Sequence, residues 1–138
     1  MRILALDMGE KRIGVAVSDA LGITANPRES IIYKSDQDTI DSIINIVKEE
    51  QIGEIVVGLP LNINGSQSNF TKKVLGFAEE LKKKTDVPVK TWDERLTSMQ
   101  GERILLEADL SRKKRRQVID KLAAQLILQN YLNFKKNV

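Results

Sequence analysis

The stretch from Ile3 to Asp19, ILALDMGEKRIGVAVSD, constrains the fold more than any other part of the chain. Its two aliphatic runs, Ile3 to Leu6 and Ile13 to Val17, are each too short for a helix. Gly-Glu-Lys-Arg separates them, so they read as a hairpin. The first run ends on a carboxylate, Asp7. A core strand ends on a charge for one of two reasons. Either Asp7 starts the turn, or it holds a cation over the end of a sheet.

The rest of the chain extends this beginning. A third strand is expected within Pro27 to Tyr33. Ser35 and Asp36 offer N-caps for a helix to about Glu50, with Ile40, Ile43, Ile44 and Val47 on one face. Glu54 to Leu59 reads as a buried strand stopped by Pro60, and the loop LNINGSQS leads into a helix over roughly Ser68 to Lys84. Val87 to Trp92 is a fifth strand. Thr97 with Gln100 forms a capping box for a helix to about Ala108, and Ser111 caps a last helix reaching about Phe134. A meander followed by β-α units implies a mixed sheet with helices on its faces. With no linker, repeat or low-complexity tract, residues 1–138 are expected to form a single domain.

Composition narrows the chemistry. Hydrophobic residues make up 41% of the chain and charged ones 30%, the balance of a globular protein. There is no cysteine and no histidine, which removes thiolate nucleophiles, His-ligated zinc and the Ser-His-Asp triad. Catalysis in this chain has to run on carboxylates, lysines, hydroxyls or a bound metal. The N-terminus enters a strand directly and no apolar run is long enough to span a membrane, so a cytoplasmic protein is expected.

Open α/β sheets place ligands at the carboxyl ends of their strands. Asp7 ends the first strand, and Asp93 and Glu94 end the fifth. Asp120 lies in the last helix, at the border of the stripe containing Ala124, Ile127 and Tyr131. Carboxylates brought together repel one another and stay ionised only around a cation. Mg²⁺ and Mn²⁺ prefer such oxygen donors, and held by carboxylates they support phosphodiester hydrolysis. Each acid also has a plainer role open to it. Asp7 suits turn chemistry, Asp93 a helix cap, Glu94 a helix first turn, and Asp120 a pair with Arg116.

Arg112, Lys113, Lys114, Arg115 and Arg116 form an unbroken cationic run at the start of a helix, where the macrodipole is already positive. Contact with phosphates would offset that cost, and a solvated face is the alternative. Net charge is only +3, from 22 Lys plus Arg against 19 acids, so this local run says more than the total. The loop GLPLNINGSQS can aim backbone N–H groups at an anion, although the same residues make ordinary turns.

Together DMGEKRIGVAVSD, VVGLPLNINGS, DERLTS and VIDKLAAQLILQNYL resemble the YqgF/RuvX family of the RNase H-like superfamily. The resemblance spans nearly the whole chain, with the motifs in order. It implies an RNase H-like α/β fold: a five-stranded mixed sheet, the first three strands antiparallel, with helices on both faces. It implies a nuclease that processes the 5′ end of pre-16S rRNA, with ribosomal particles as candidate partners and Holliday junction resolution on branched DNA as the older proposal. The implied catalytic and metal-holding acids are Asp7, Glu94 and Asp120, with one or two Mg²⁺ or Mn²⁺ ions. Arg12, Asn62 and Arg95 match polar positions suited to phosphate or ligand orientation. Resolvases of the superfamily usually bear an acid on the fourth strand, where this chain has Gly58, Leu59 and Pro60, and often two acids in the final helix, where Asp120 stands alone. Glu94 must therefore be recruited from strand five.

Two other classes share part of the signal. Sugar kinases and actin-like ATPases open with a phosphate loop similar to LDMGEKRIG, but they enclose nucleotide between two domains and 138 residues supply one. A non-catalytic RNA-binding assembly factor would keep the fold and use the cationic run alone. Aromatic residues are only 4%, so recognition should lean on backbone and shape rather than base stacking. The chain is expected to act as a monomer or a homodimer.

Overall fold

The computed structural model describes residues 1–95 and 112–136, without the side chains of 112–121. The elements are β1 (Arg2–Met8), β2 (Arg12–Ser18), β3 (Ala25–Ile32), α1 (Asp36–Glu49), β4 (Ile52–Leu59), α2 (Asn69–Lys84), β5 (Val89–Asp93) and α3 (Arg112–Lys136). The strands form one sheet in the order β3-β2-β1-β4-β5. β1, β2 and β3 pair antiparallel, whereas β4 joins β1, and β5 joins β4, in parallel. A parallel neighbour needs a crossover, and α1 and α2 are those crossovers. The expected helix from Thr97 to Ala108 and the Ser111 cap lie outside the described residues.

Period-two alternation divides the strands between two cores. Leu4, Leu6, Met8, Ile55 and Val57 point to one side, where they meet Ile40 and Ile43 of α1 and Val74, Phe77 and Leu81 of α2. Ile3, Ala5, Ala16 and Val56 point to the other side and are covered by Ala124, Ile127, Leu128, Tyr131 and Leu132 of α3. Both crossover helices begin where a serine can cap them. The Ser35 hydroxyl accepts the Asp38 N–H at 3.1 Å. Ser68 and Thr71 exchange side-chain-to-backbone bonds at 3.1 and 3.0 Å in a capping box. The Thr71 hydroxyl also donates to the Pro60 carbonyl, fixing the start of α2 against the end of β4.

At the opposite end of the sheet a buried carboxylate anchors α3. Glu54 is 7% exposed and accepts from the Tyr131 hydroxyl at 2.5 Å and from Lys135 at 3.0 Å, with Lys90 also 3.0 Å away. The Tyr131 ring meets Trp92 edge-on, with centroids 5.4 Å apart. α3 is thus pinned at its C-terminal end, which sets the line along which its N-terminal half runs over the sheet.

Candidate active site

Strand register brings two of the expected acids together. On β1 the side facing α3 reads Ile3, Ala5 and then Asp7, so the carboxylate continues an apolar row at the strand's carboxyl end. Asp7 lies inside β1 opposite Gly14, and the turn beyond it closes through the Gly9 N–H on the Arg12 carbonyl at 2.9 Å. On β5, Trp92 faces α3 beside Gly58 of β4. Glu94 follows two residues later and donates its N–H to the Leu59 carbonyl at 3.3 Å, which carries the β4–β5 ladder one step past the strand. Its side chain turns back over β4. The carboxylate oxygen Oε2 lies 2.5 Å from where a Cβ on Gly58 would stand. There it hydrogen-bonds the Asp7 carboxyl.

The electrostatics follow from this placement. Burial pushes Glu94 up to about 8, and the Asp7 charge and hydrogen bond, with a smaller contribution from Asp93, add to the rise. Two carboxyls this close share a proton in the metal-free protein. A hard cation would take the place of that proton, because both donors are carboxylate oxygens. The residues present therefore fit Mg²⁺ or Mn²⁺. Among the described residues no third acid closes the group. The backbone of Asp120 falls in α3, one turn before the buried Ala124, and its side chain is not among those described.

Asp93 does something else. It is exposed, and its carboxylate accepts from the Arg95 guanidinium through three contacts, Nε to Oδ1 at 3.0 Å and to Oδ2 at 2.9 Å and Nη2 to Oδ2 at 2.5 Å, with the Arg95 N–H donating to Oδ1 at 3.1 Å. Those bonds hold Asp93 below the usual carboxylate range, against some burial. Arg95 also donates through Nη1 to the Ile63 carbonyl at 3.1 Å. It therefore ties the end of β5 to the 60–67 loop. That loop is internally braced by Asn62, whose amide donates to the Ser66 hydroxyl at 2.9 Å and whose carbonyl accepts the Gly65 N–H at 2.8 Å.

The other expected residues are placed as follows. Arg12 is exposed at the start of β2, at the end of the sheet where Asp7 stands. Arg95 reaches the 60–67 loop that holds Asn62, and both residues are engaged in bracing that loop. Arg112 to Arg116 form the first residues of α3, and their side chains lie outside the described set. Sequence reasoning missed the use made of Gly58, which it read only as a missing acid. The period-two row Glu54, Val56, Gly58 was the available signal: it puts an empty position on the α3 side, between Asp7 and Glu94.

A family model described as "RuvX: Holliday junction resolvase" matches residues 1–134. A protein of Halothermothrix orenii named "Putative pre-16S rRNA nuclease" is 48% identical over 138 residues, covering 100% of this chain and 99% of its own length. A Clostridium acetobutylicum protein with the same name is 49% identical and covers 96% of this chain and 98% of itself. Among solved structures, T. thermophilus RuvC in complex with a Holliday junction substrate superposes with a TM-score of 0.57 at 14% identity, covering 99% of this chain and 96% of that one. The yeast mitochondrial Holliday junction resolvase Ydc2 gives 0.55 at 10% identity, over 97% and 78%. At such identities the likeness is one of fold, and the fold is that of RuvC-like resolvases, RNase H-like. By its near-complete match to the family model and to relatives close to half identical, the chain belongs to the RuvX (YqgF) family.

Proposed function

We propose that this chain is a metal-dependent nuclease that hydrolyses phosphodiester bonds at the Asp7–Glu94 pair, and that its substrate is the 5′ end of pre-16S rRNA. The carrying observation is that two carboxyls from non-adjacent strands meet across Gly58 in a chain without histidine or cysteine. The names of the close relatives favour the RNA substrate. Asp7, Glu94 and Asp120 would hold one or two Mg²⁺ or Mn²⁺ ions. Such an ion, when bound, acidifies a water and neutralises charge developing on the scissile phosphate.

The protein's own residues do the rest. Glu94 gives up its proton before a cation can settle against it. Asp7, fixed inside β1, sets the position of that charge relative to the sheet. Arg12 at the rim and Arg112 to Arg116 at the start of α3 attract and align the phosphate backbone. Arg95 and Asn62 hold the loop beside the site in one shape, which orients whatever strand enters. We take residues 1–138 to act as one domain in the cytoplasm, alone or on ribosomal particles. One chain is enough to cut a single strand.

Junction resolution is the second reading, favoured by the family description and the RuvC-like fold. Cleavage of a labelled pre-16S rRNA 5′ leader and of a four-way DNA junction, each with Mg²⁺, Mn²⁺ or chelator, separates them. Metal-dependent cutting of the leader is expected. Cutting of the junction alone would move the assignment to the second reading, and binding of RNA without cutting of either would make the chain an assembly factor.

A further inference from the structure

We propose that Gly58 is a positioning residue: the absence of a side chain there is what lets Glu94 cross β4 and reach Asp7. The inference rests on the nuclease reading above for its purpose, but on geometry for its content. Gly58 sits in the interior of β4, paired to Trp92, where glycine ordinarily weakens a strand. Its backbone does not require glycine, because the positive-φ glycines among the described residues are Gly22 and Gly65. Space does. A Cβ at position 58 would lie 2.5 Å from Glu94 Oε2 and 2.6 Å from Ile127 Cδ1. At Gly9, by contrast, the added atom meets the Arg12 carbonyl oxygen at 2.5 Å, so that glycine serves the turn itself.

Both obstacles at Gly58 are the far ends of flexible side chains. An alanine there leaves the strand free to form, and something on the surface of β4 gives way. Ile127 is 0% exposed and packed into the second core, with little room to retreat. Glu94 is half-buried at the sheet edge and is the group that moves. One methyl group then separates the two acids while both carboxylates are kept in the sequence.

The test uses the full chain and calorimetric titration of Mn²⁺ into metal-free protein, with thermal melts to follow the fold. Gly58→Ala should stay folded and bind Mn²⁺ roughly 10–100-fold more weakly, the range seen when a metal ligand is no longer held in place. If Gly58 served only to pack α3, adding Ile127→Val would make room for the methyl and restore binding; we expect it not to. Glu94→Asp shortens the reach and should weaken binding alone, and Gly58→Ala should then add less than about twofold, since the interaction is already gone. Unchanged Mn²⁺ affinity in Gly58→Ala, restoration by Ile127→Val, or fully multiplicative losses would each overturn the proposal. Should wild type bind no Mn²⁺, the metal-nuclease reading falls by itself. Gly58 is then judged from a crystal structure of metal-free Gly58→Ala: a Glu94 carboxyl moved off Asp7 supports it, and one still on Asp7 refutes it.

Discussion

At Glu94, burial and a neighbouring negative charge act in the same direction, and the consequence is a stability that depends on pH. The folded carboxyl sits at about 8, above its ordinary 4.5, so the folded state holds a proton that the unfolded state releases. The stability linked to this group is fully present below about 4.5 and is lost as pH rises towards about 8. Thermal melts of metal-free protein should show the midpoint falling across that window, and Glu94→Gln should remove much of the slope. A steeper fall in Glu94→Gln than in wild type would contradict the assignment. The same linkage makes Mg²⁺ or Mn²⁺ bind more tightly as pH rises, because the ion and the proton compete for one pair of carboxyls.

Single elements carry two further expectations. Tyr131 on α3 supplies a hydroxyl to the buried Glu54 and a ring to Trp92. Tyr131→Phe keeps the ring and removes the donor, so it should cost about 1 kcal/mol, the low end for a buried acceptor that retains two lysines. Chemical denaturation measures this, and a change near zero would mean the hydroxyl adds nothing to the anchor. At the other end of α3, changing Arg112, Lys113, Lys114, Arg115 and Arg116 to Gln should weaken RNA binding. It should also flatten the dependence of log affinity on log salt by about 0.7 for each single-strand phosphate that is no longer neutralised. An unchanged salt slope would return the run to a solvated face.

The elements themselves were largely legible because each carries a local signal. Serine caps at Ser35 and Ser68 fix the starts of α1 and α2, and short aliphatic runs mark the strands. Small shifts have physical causes. β5 begins at Val89 rather than Val87 because Pro88 has no N–H to give the ladder, although its carbonyl still accepts the Ile55 N–H at 2.8 Å. β4 begins at Ile52, two residues before Glu54, because β1 offers Arg2 as a partner. What local signals could not reveal was the meeting of Asp7 with Glu94. That depends on β4 lying between β1 and β5, and on position 58 being empty at the one register where the two acids face each other. Nor could they reveal the bonds that the Arg95 guanidinium, a position the resemblance implies is suited to phosphate or ligand orientation, makes with Asp93 and Ile63. A bond between residues two apart at a strand end leaves no periodic trace in the sequence.

Among the described residues the arrangement is one sheet, a pair of converging acids and the start of a helix whose sequence is cationic, all on one chain. Under the proposed function such a molecule would cut one strand at a time. Cleavage of the rRNA leader should be first order in protein, with activity per chain constant on dilution. Paired cuts in a four-way junction would need a symmetric dimer, and a rate rising faster than protein concentration would signal it. The central claim, that Asp7 holds the catalytic cation rather than merely ending a strand, is tested most directly by one comparison. Wild type and Asp7→Asn are assayed with Mg²⁺ or Mn²⁺ on the labelled 5′ leader, with RNA binding and thermal melts measured alongside. The variant should fold and bind RNA as wild type does while cleavage falls by more than roughly 100-fold, beyond what removal of an outer-shell partner costs. Cleavage at the wild-type rate by Asp7→Asn would contradict the account.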